Sequence, residues 1–194
     1  MNTPAPKIDG RRARTTRTRA ALVRALTELL DEGRIEPTAV EIAERAGVAV
    51  RSVGQHFASR EDLLLAVAEH HAQRVTTEPV DAAAPLDARL DRFVTQRAKI
   101  LEASMAMRRA AAVVAARSPS VTHALETVAR RRREETASLF APELAATRDP
   151  KGAERTVALL TSGRAWDALR VELRLTAKAA RAQLEQMLRG VLAP

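Results

Sequence analysis

The sequence predicts an all-α fold, and three features carry that prediction. Alanine, the strongest helix former, supplies 40 of the 194 residues. Aromatic side chains, which strands favour, make up only 2% of the chain. Apolar residues recur at helical spacing, first at Leu22, Val23, Leu26, Leu29 and Leu30. We therefore expect neither an all-β fold nor an RNA-binding module that stacks bases on aromatic rings.

The composition also narrows the classes of function. The chain has no cysteine, which removes disulfides, thiolate zinc sites, iron–sulfur clusters and thiol catalysis together. No apolar run approaches the roughly 18 residues of a membrane-spanning helix. The basic N-terminus lacks the apolar stretch of a secretory signal. We expect a cytoplasmic protein without membrane contact.

The first two helices have clear ends in the sequence. The first is predicted at about Thr16–Glu32, where Gly33 stops it. The segment Thr38-Ala39-Val40-Glu41 then has the pattern of a capping box, in which the side chains of its first and last residues each bond to the other's backbone amide. A short second helix begins at this box and ends at Gly47.

Two further helices complete an N-terminal module. The third is predicted at about Val50–His56, and Ser59 can cap a fourth over about Arg60–Val75. The segment Thr76–Pro85 is small, polar and proline-flanked, as is typical of a linker. It leads to a larger helical domain at 86–194.

The larger domain is predicted to hold four or five helices. The apolar spacing places them at about 86–104, 105–117, 118–140, 151–173 and 176–192. No internal repeat or strand pattern interrupts them.

Arginine carries most of the positive charge. The chain has 28 Arg and 4 Lys, and its formal net charge is +8. Residues 1–19 hold six basic side chains and one acidic side chain, a local charge of +5. We predict a disordered basic arm at 1–15, before the module at 16–75. Its Arg11, Arg12 and Arg14 are suited to a polyanion such as DNA, and a solvated tail is the alternative.

Three short helices with a glycine turn between the second and third are typical of a helix-turn-helix. Val53 and Phe57 lie four residues apart and so share one face of the third helix. The apolar positions expected to form the core of the module are Leu26, Leu30, Val40, Ile42, Val48, Val53 and Phe57.

The third helix has the side chains of a DNA-reading element. Its opposite face presents Val50, Arg51, Gly54 and Gln55. Arginine can bond to O6 and N7 of guanine, and glutamine to N6 and N7 of adenine, in the major groove. Four other residues are placed to contact the phosphate backbone: Thr38, Ser52, His56 and Arg60. For His56 a structural role is the alternative.

Residues 38–65, TAVEIAERAGVAVRSVGQHFASREDLLL, closely resemble the helix-turn-helix signature of the tetracycline-repressor (TetR) family of regulators. The resemblance covers about 50 residues when the first helix is included. Beyond residue 86 it is limited to the helix count and a pattern at Thr161-Ser162, Trp166 and Leu169. The matching motifs are Ile42-Ala43, Ala46-Gly47-Val48, His56-Phe57 and Ser59-Arg60-Glu61.

Two positions depart from the family pattern. Ala49 replaces the usual serine, so the third helix loses a side-chain N-cap typically worth about 1 kcal/mol. Gly54 replaces an aromatic residue that contacts a backbone phosphate in this family, and it weakens the helix by about 1 kcal/mol relative to alanine. We therefore expect modest intrinsic DNA affinity, to which the basic arm can add.

The resemblance implies a homodimer formed by the last two helices, here 151–173 and 176–192, and a small-molecule effector in the larger domain. The apolar surface of the dimer would come from Leu159, Leu160, Leu169, Leu173, Leu184, Met187, Leu188 and Val191. The effector pocket would be lined by Phe93, Met105, Met107, Val113, Phe140 and Trp166, for which ordinary core packing is the alternative.

Arginines of the larger domain offer a further contact for an acidic ligand group. Arg97, Arg108 and Arg109 are the candidates, and solvated helix faces are the alternative. In the run Arg130–Arg133, consecutive residues point in all directions around a helix, so at least one must lie near buried surface or pair with a nearby glutamate.

No pattern of a catalytic or metal site is present. His70 and His71 are adjacent, which is poor geometry for joint metal binding, and no paired carboxylates or framed serine occur. We predict a ligand-responsive homodimeric regulator of transcription that binds double-stranded DNA at a palindromic operator. A repressor is favoured over an activator. The alternatives are a non-specific architectural DNA binder and a helical sensor whose N-terminal module no longer binds DNA specifically.

Overall fold

The computed structural model describes residues 10–74 and 78–193, except for the side chains of Arg11 and Arg74. All regular elements in these two ranges are helices, which confirms the all-α prediction. The N-terminal segment forms α1 (Gly10–Asp31), α2 (Ala39–Ala46), α3 (Arg51–His56) and α4 (Arg60–Arg74).

The C-terminal segment forms seven α-helices and one π-helix among the described residues. They are α5 (Leu86–Ala103), α6 (Met105–Ala115), α7 (Pro119–Leu139), α8 (Ala141–Ala146), α9 (Pro150–Leu160), α10 (Gly163–Asp167), the π-helix (Ala168–Glu172) and α11 (Ala177–Leu192).

Helix α1 is longer than predicted. It begins at Gly10 rather than Thr16, so residues 10–15 are helical and are not part of a disordered arm. Alanine and arginine supply four of these six residues and are good helix formers, and they extend a helix that is already nucleated by the residues after them. Residues 1–9 of the predicted arm lie outside the described residues.

The predicted helix at 151–173 is interrupted. Helix α9 ends at Leu160, and the hydroxyl of Ser162 accepts a 3.2 Å hydrogen bond from the backbone amide of Ala165 to start α10. Serine competes with the helical backbone in this way, which is why it favours caps over helix interiors. The short helix α8 was not predicted.

The described residues form two hydrophobic cores. The first joins the N-terminal module to α6 and α7, because Ala110, Ala111, Val114 and Val121 pack with the apolar residues of α1 and α4. Most predicted core residues of the module lie here. Val40 is the exception: it is 48% exposed, so its assignment to the core was wrong.

The second core fills the C-terminal helices. Phe93, Phe140 and Trp166 lie in it, with the ring centroids of the two phenylalanines 5.3 Å apart in an edge-to-face arrangement. Arg89 lies at its edge, where it pairs with Glu143 and donates a 2.8 Å hydrogen bond to the carbonyl of Leu139. Among the described helices, none is long and apolar enough to span a membrane.

Candidate nucleic-acid interface

Helix α2 begins at the predicted capping box. The backbone amide of Glu41 donates to the hydroxyl of Thr38 at 3.2 Å, and the backbone amide of Thr38 donates to the Glu41 carboxylate at 2.7 Å. These hydrogen bonds from Thr38 lower the pKa of Glu41. Because the hydroxyl of Thr38 also donates to Glu41, this side chain is engaged in the cap.

The turn between α2 and α3 needs a glycine. Gly47 has a φ of +66°, in the left-handed region that other residues rarely adopt. This conformation lets the backbone amide of Val48 bond to the carbonyl of Ala43 at 3.0 Å, which closes α2. The chain then turns directly into α3.

Ion pairs join α2 to the residues that directly follow α1. Both terminal nitrogens of Arg45 donate to the carboxylate of Glu32, each at 2.8 Å. This bidentate pair lowers the pKa of Glu32. Arg34 likewise pairs with Glu41. The second helix of the module is thereby held in one orientation.

The inward face of α3 is fixed by two side chains. Phe57, which directly follows the helix, is buried in the first core, and Val53 packs against the same core. The guanidinium carbon of Arg19 lies 4.9 Å from the centroid of the Phe57 ring, a cation–π contact that ties α1 to the end of α3.

The outward face of α3 is free. Arg51, Gly54 and Gln55 are exposed, and Val50 is 45% exposed. Among the described residues, no hydrogen bond or ion pair engages the side chain of Arg51 or Gln55. Arg51 and Gln55 thus lie one turn apart on the same short helix, exposed and unpaired. Both carry N–H groups that can donate hydrogen bonds to base edges.

Helix α3 starts without a side-chain cap. Val50 is its N-cap residue, and no side chain bonds to the first amides of the helix. This agrees with the expected effect of Ala49. Gly54 has open space around it, since a Cβ built there would meet no atom within 4 Å.

The other predicted DNA contacts surround this helix. Arg12 and Arg14 are exposed at the start of α1, whereas the side chain of Arg11 is outside the described residues. Ser52 and His56 are half-buried. Arg60 is half-buried, and its guanidinium lies 4.0 Å from Glu36.

An ion pair between the N-terminal module and the C-terminal segment was not predicted from the sequence. Glu36 pairs with Arg117, which lies after α6, as well as with Arg60. Nothing local signals this contact, because the two partners are 81 residues apart.

Four of the six predicted effector-pocket residues lie together, and two lie apart from them. Phe93, Phe140 and Trp166 are buried in the second core, and Met105 packs against it. Met107 packs against the first core instead, and Val113 is 39% exposed. The burial of the three aromatic residues agrees with core packing, and their contact with an effector stays a prediction.

Comparison with known proteins gives a family for the N-terminal segment. Residues 22–67 match the profile of "Bacterial regulatory proteins, tetR family". A search of curated proteins gives no match to the chain.

Three solved structures show the same fold over nearly the whole chain. A transcriptional regulator from Rhodococcus sp. RHA1 is 19% identical with a TM-score of 0.69, and the alignment covers 92% of this chain and 95% of that one. A candidate TetR-family regulator from Rhodococcus sp. is 18% identical, with a TM-score of 0.70 and coverage of 91% and 99%.

A TetR-like transcriptional regulator from Rhodococcus sp. RHA1 is 17% identical, with a TM-score of 0.61 and coverage of 98% and 100%. At these identities the likeness establishes the fold, and the profile match establishes the DNA-binding module. Regulators of this kind are transcription factors and not enzymes. Residues 22–67 are therefore similar to the tetR family of bacterial regulatory proteins, and nearly the whole chain has the fold of the three regulators above.

Proposed function

We propose that the protein is a ligand-responsive repressor that binds a palindromic operator as a homodimer in the cytoplasm. The observation that carries its DNA contact is the unpaired, exposed face of α3 with Arg51 and Gln55. In the major groove, Arg51 would read guanine and Gln55 adenine. Arg12 and Arg14, exposed on α1, would add sequence-independent phosphate contacts.

A second copy is needed because one reading helix spans only a few base pairs. Three exposed apolar side chains in the segment 151–173 support a dimer surface there: Leu159 at 63% exposure, Val171 at 49% and Leu173 at 64%. Burying such side chains on association is favourable.

The predicted dimer surface needs a correction. Leu169, Leu184 and Leu188 are buried in the second core of the same chain, so they cannot form the apolar surface between two chains. Helix α11 packs against α5 and α9, which is why its leucines point inward. The proposed surface therefore consists of the exposed residues of the 151–173 segment together with the partly buried Leu160, Met187 and Val191.

Helix α6 supports a ligand response. Ala110, Ala111 and Val114 on this helix belong to the first core, which it shares with the DNA-binding helices. Arg108 on the same helix donates a 2.7 Å hydrogen bond to Asp167 on α10. One rigid helix thus contacts both parts of the chain. An effector that binds the DNA-incompetent state better would shift the equilibrium through it.

Selection of bound duplexes from a random pool tests the DNA-binding part. At about 150 mM salt with excess competitor DNA, we expect a palindromic motif, since non-specific binding weakens strongly with salt. Recovery of no motif would favour an architectural DNA binder or a degenerate reading head instead.

Sedimentation of two matched variants tests the dimer. Leu159→Glu places a charge on the proposed surface and should yield monomers. Val40→Glu changes an equally apolar, exposed residue on α2 and should leave the dimer intact. A dimer that survives Leu159→Glu and Leu173→Glu together would overturn the surface.

A further inference from the structure

Three arginines converge inside the C-terminal helices, and together they are named the arginine cluster: Arg97 on α5, Arg108 on α6 and Arg132 on α7. Burial lowers the pKa of Arg97 and the charge of Arg132 lowers it further, while burial, then Arg133, then Arg108 lower the pKa of Arg132. Arg132 therefore lies within electrostatic reach of both Arg97 and Arg108. Like charges that are partly removed from water repel, and their convergence is costly unless an anion joins them.

Arg97 is the least satisfied member. Its Nε atom is buried and has no hydrogen-bond partner among the described residues. Its guanidinium carbon lies 5.4 Å from the centroid of the Phe93 ring, which gives it an apolar floor. Burial lowers the pKa of Arg97 to about 10, so the group is still a cation at neutral pH. Glu135 adds only a Coulombic attraction and no hydrogen bond.

Arg132 is the second group with free donor capacity. It is half-buried, whereas the other members of the run Arg130–Arg133 are exposed. Its Nε is buried without a partner in the described part of the chain, and its one hydrogen bond there is a long one of 3.4 Å to the carbonyl of Ala158. A buried donor that is left unpaired destabilises the fold, so these two buried Nε atoms favour the binding of an acceptor.

Arg108 is anchored rather than free. It donates to Asp167 at 2.7 Å, to the carbonyl of Leu101 at 2.7 Å and to the hydroxyl of Ser104 at 2.8 Å. Gly163 makes room for it, because a Cβ there would lie 2.3 Å from its Nε. This fixed guanidinium adds positive potential to the cluster.

We propose that the arginine cluster binds the carboxylate of a small organic acid, with Arg97 and Arg132 as the direct donors and Arg108 as an anchored neighbour. The planar guanidinium matches the two oxygens of a carboxylate. The ring of Phe93, against which Arg97 lies, would give an apolar surface to a short tail of the acid. The assignment rests on the proposed ligand response, since this acid would be the effector.

Thermal unfolding of the full chain without DNA tests the site directly. The probes are sodium hexanoate, its neutral isostere hexanamide, and sodium sulfate, each at matched ionic strength. We expect hexanoate to raise Tm by about 5–10 °C at about 100 times its Kd. Hexanamide should have no effect, since it lacks the charge. A shift as large with sulfate as with hexanoate would show an inorganic-anion site only and would overturn the organic acid.

Two variants separate a binding role from a structural one. Arg97→Met keeps an apolar stem over Phe93 and should abolish the hexanoate shift, while the Tm of the unliganded variant equals or exceeds that of the wild type. Arg109→Gln, at the exposed neighbour of Arg108, removes the same charge and should keep the shift. A lower unliganded Tm for Arg97→Met, or a shift that survives it, would overturn the site.

The operator measurement then separates this proposal from the proposed function. Hexanoate should weaken operator binding by the wild type and leave that of Arg97→Met unchanged. If hexanoate raises Tm but leaves operator binding unchanged, the carboxylate site stands and the ligand response fails. If operator DNA binds and hexanoate changes neither quantity, the carboxylate site fails and the DNA-binding function stands.

Discussion

The indole nitrogen of Trp166 donates a 2.9 Å hydrogen bond to Oε2 of Glu102. The same carboxylate oxygen accepts from Nε of Arg170 at 2.9 Å, so Glu102 joins α5 to α10 and the π-helix. Trp166 is the one tryptophan of the chain and is 1% exposed. Its fluorescence therefore reports the packing of the second core.

Stability is expected to fall in acid. Hydrogen bonds from Arg170 lower the pKa of Glu102, and those from Arg89 lower the pKa of Glu143, both from 4.5. A carboxylate with a lowered folded pKa contributes stability above its unfolded pKa and loses that contribution as the pH falls through the folded value. Urea unfolding followed by Trp166 emission should show the decline below about pH 4.5. A free energy of unfolding that is constant down to about pH 3 would contradict this account.

Replacing Glu143 isolates one of these pairs. Glu143→Gln leaves the guanidinium of Arg89, which is 5% exposed, without its counter-ion. We expect a loss of about 1–3 kcal/mol at neutral pH and a smaller acid dependence. Glu78→Gln breaks an exposed pair with Arg92 and should cost under about 1 kcal/mol. Equal losses in urea unfolding would show that burial of the first pair is unimportant.

Replacing two glycines of the N-terminal module by alanine should change the free energy of unfolding in opposite directions. Gly54→Ala should stabilise the protein by about 0.5–1 kcal/mol, since the helix gains propensity and the Cβ meets no atom. Gly47→Ala, equally open in space, should destabilise it by about 1–2 kcal/mol because its φ is +66°. Urea unfolding measures both, and a loss of stability in Gly54→Ala would point to an unrecognised strain in α3.

Arg51→Ala should relax base preference at one position of each operator half-site. Losing a bidentate contact with guanine costs about 1–3 kcal/mol of discrimination. Competition binding with operators changed one base pair at a time measures this. Arg155→Ala, on α9, removes an equally exposed charge and should leave preference unchanged. If Arg51→Ala keeps the wild-type preference at every position, α3 is not the reading helix.

The double variant Arg12→Ala/Arg14→Ala should weaken binding to all sequences alike. If each side chain meets one phosphate, the slope of log K against log salt should flatten by about 1.8. The matched control Arg148→Ala/Arg155→Ala removes the same charge from exposed sites in the C-terminal half. An equal flattening in the control would assign the effect to net charge.

Local features of this chain could be predicted from its sequence, and long-range ones could not. The capping box at Thr38 and the turn at Gly47 depend on neighbours in the chain, so both were predicted and both are observed. The free face of α3 could be predicted because Val53 and Phe57 fix the opposite face.

Tertiary packing decided the remainder. Val40 has helical spacing but no partner helix covers it, and the leucines of α11 turn toward their own chain instead of a second one. The run Arg130–Arg133 predicted that one member lies near buried surface. That Arg132 is the member depends on the register of α7 against α9, which no local pattern encodes.

The first core has a consequence for engineering. Val114 and Val121, which lie after the linker, pack in one cluster with Leu22, Leu26 and Val67 of the N-terminal module. Grafting residues 10–74 onto another regulator would place that apolar face against side chains that do not match it. Each CH2 group that becomes exposed would cost about 0.8 kcal/mol of stability. A chimaera that transplants operator choice should therefore carry α6 and the start of α7 from the same parent.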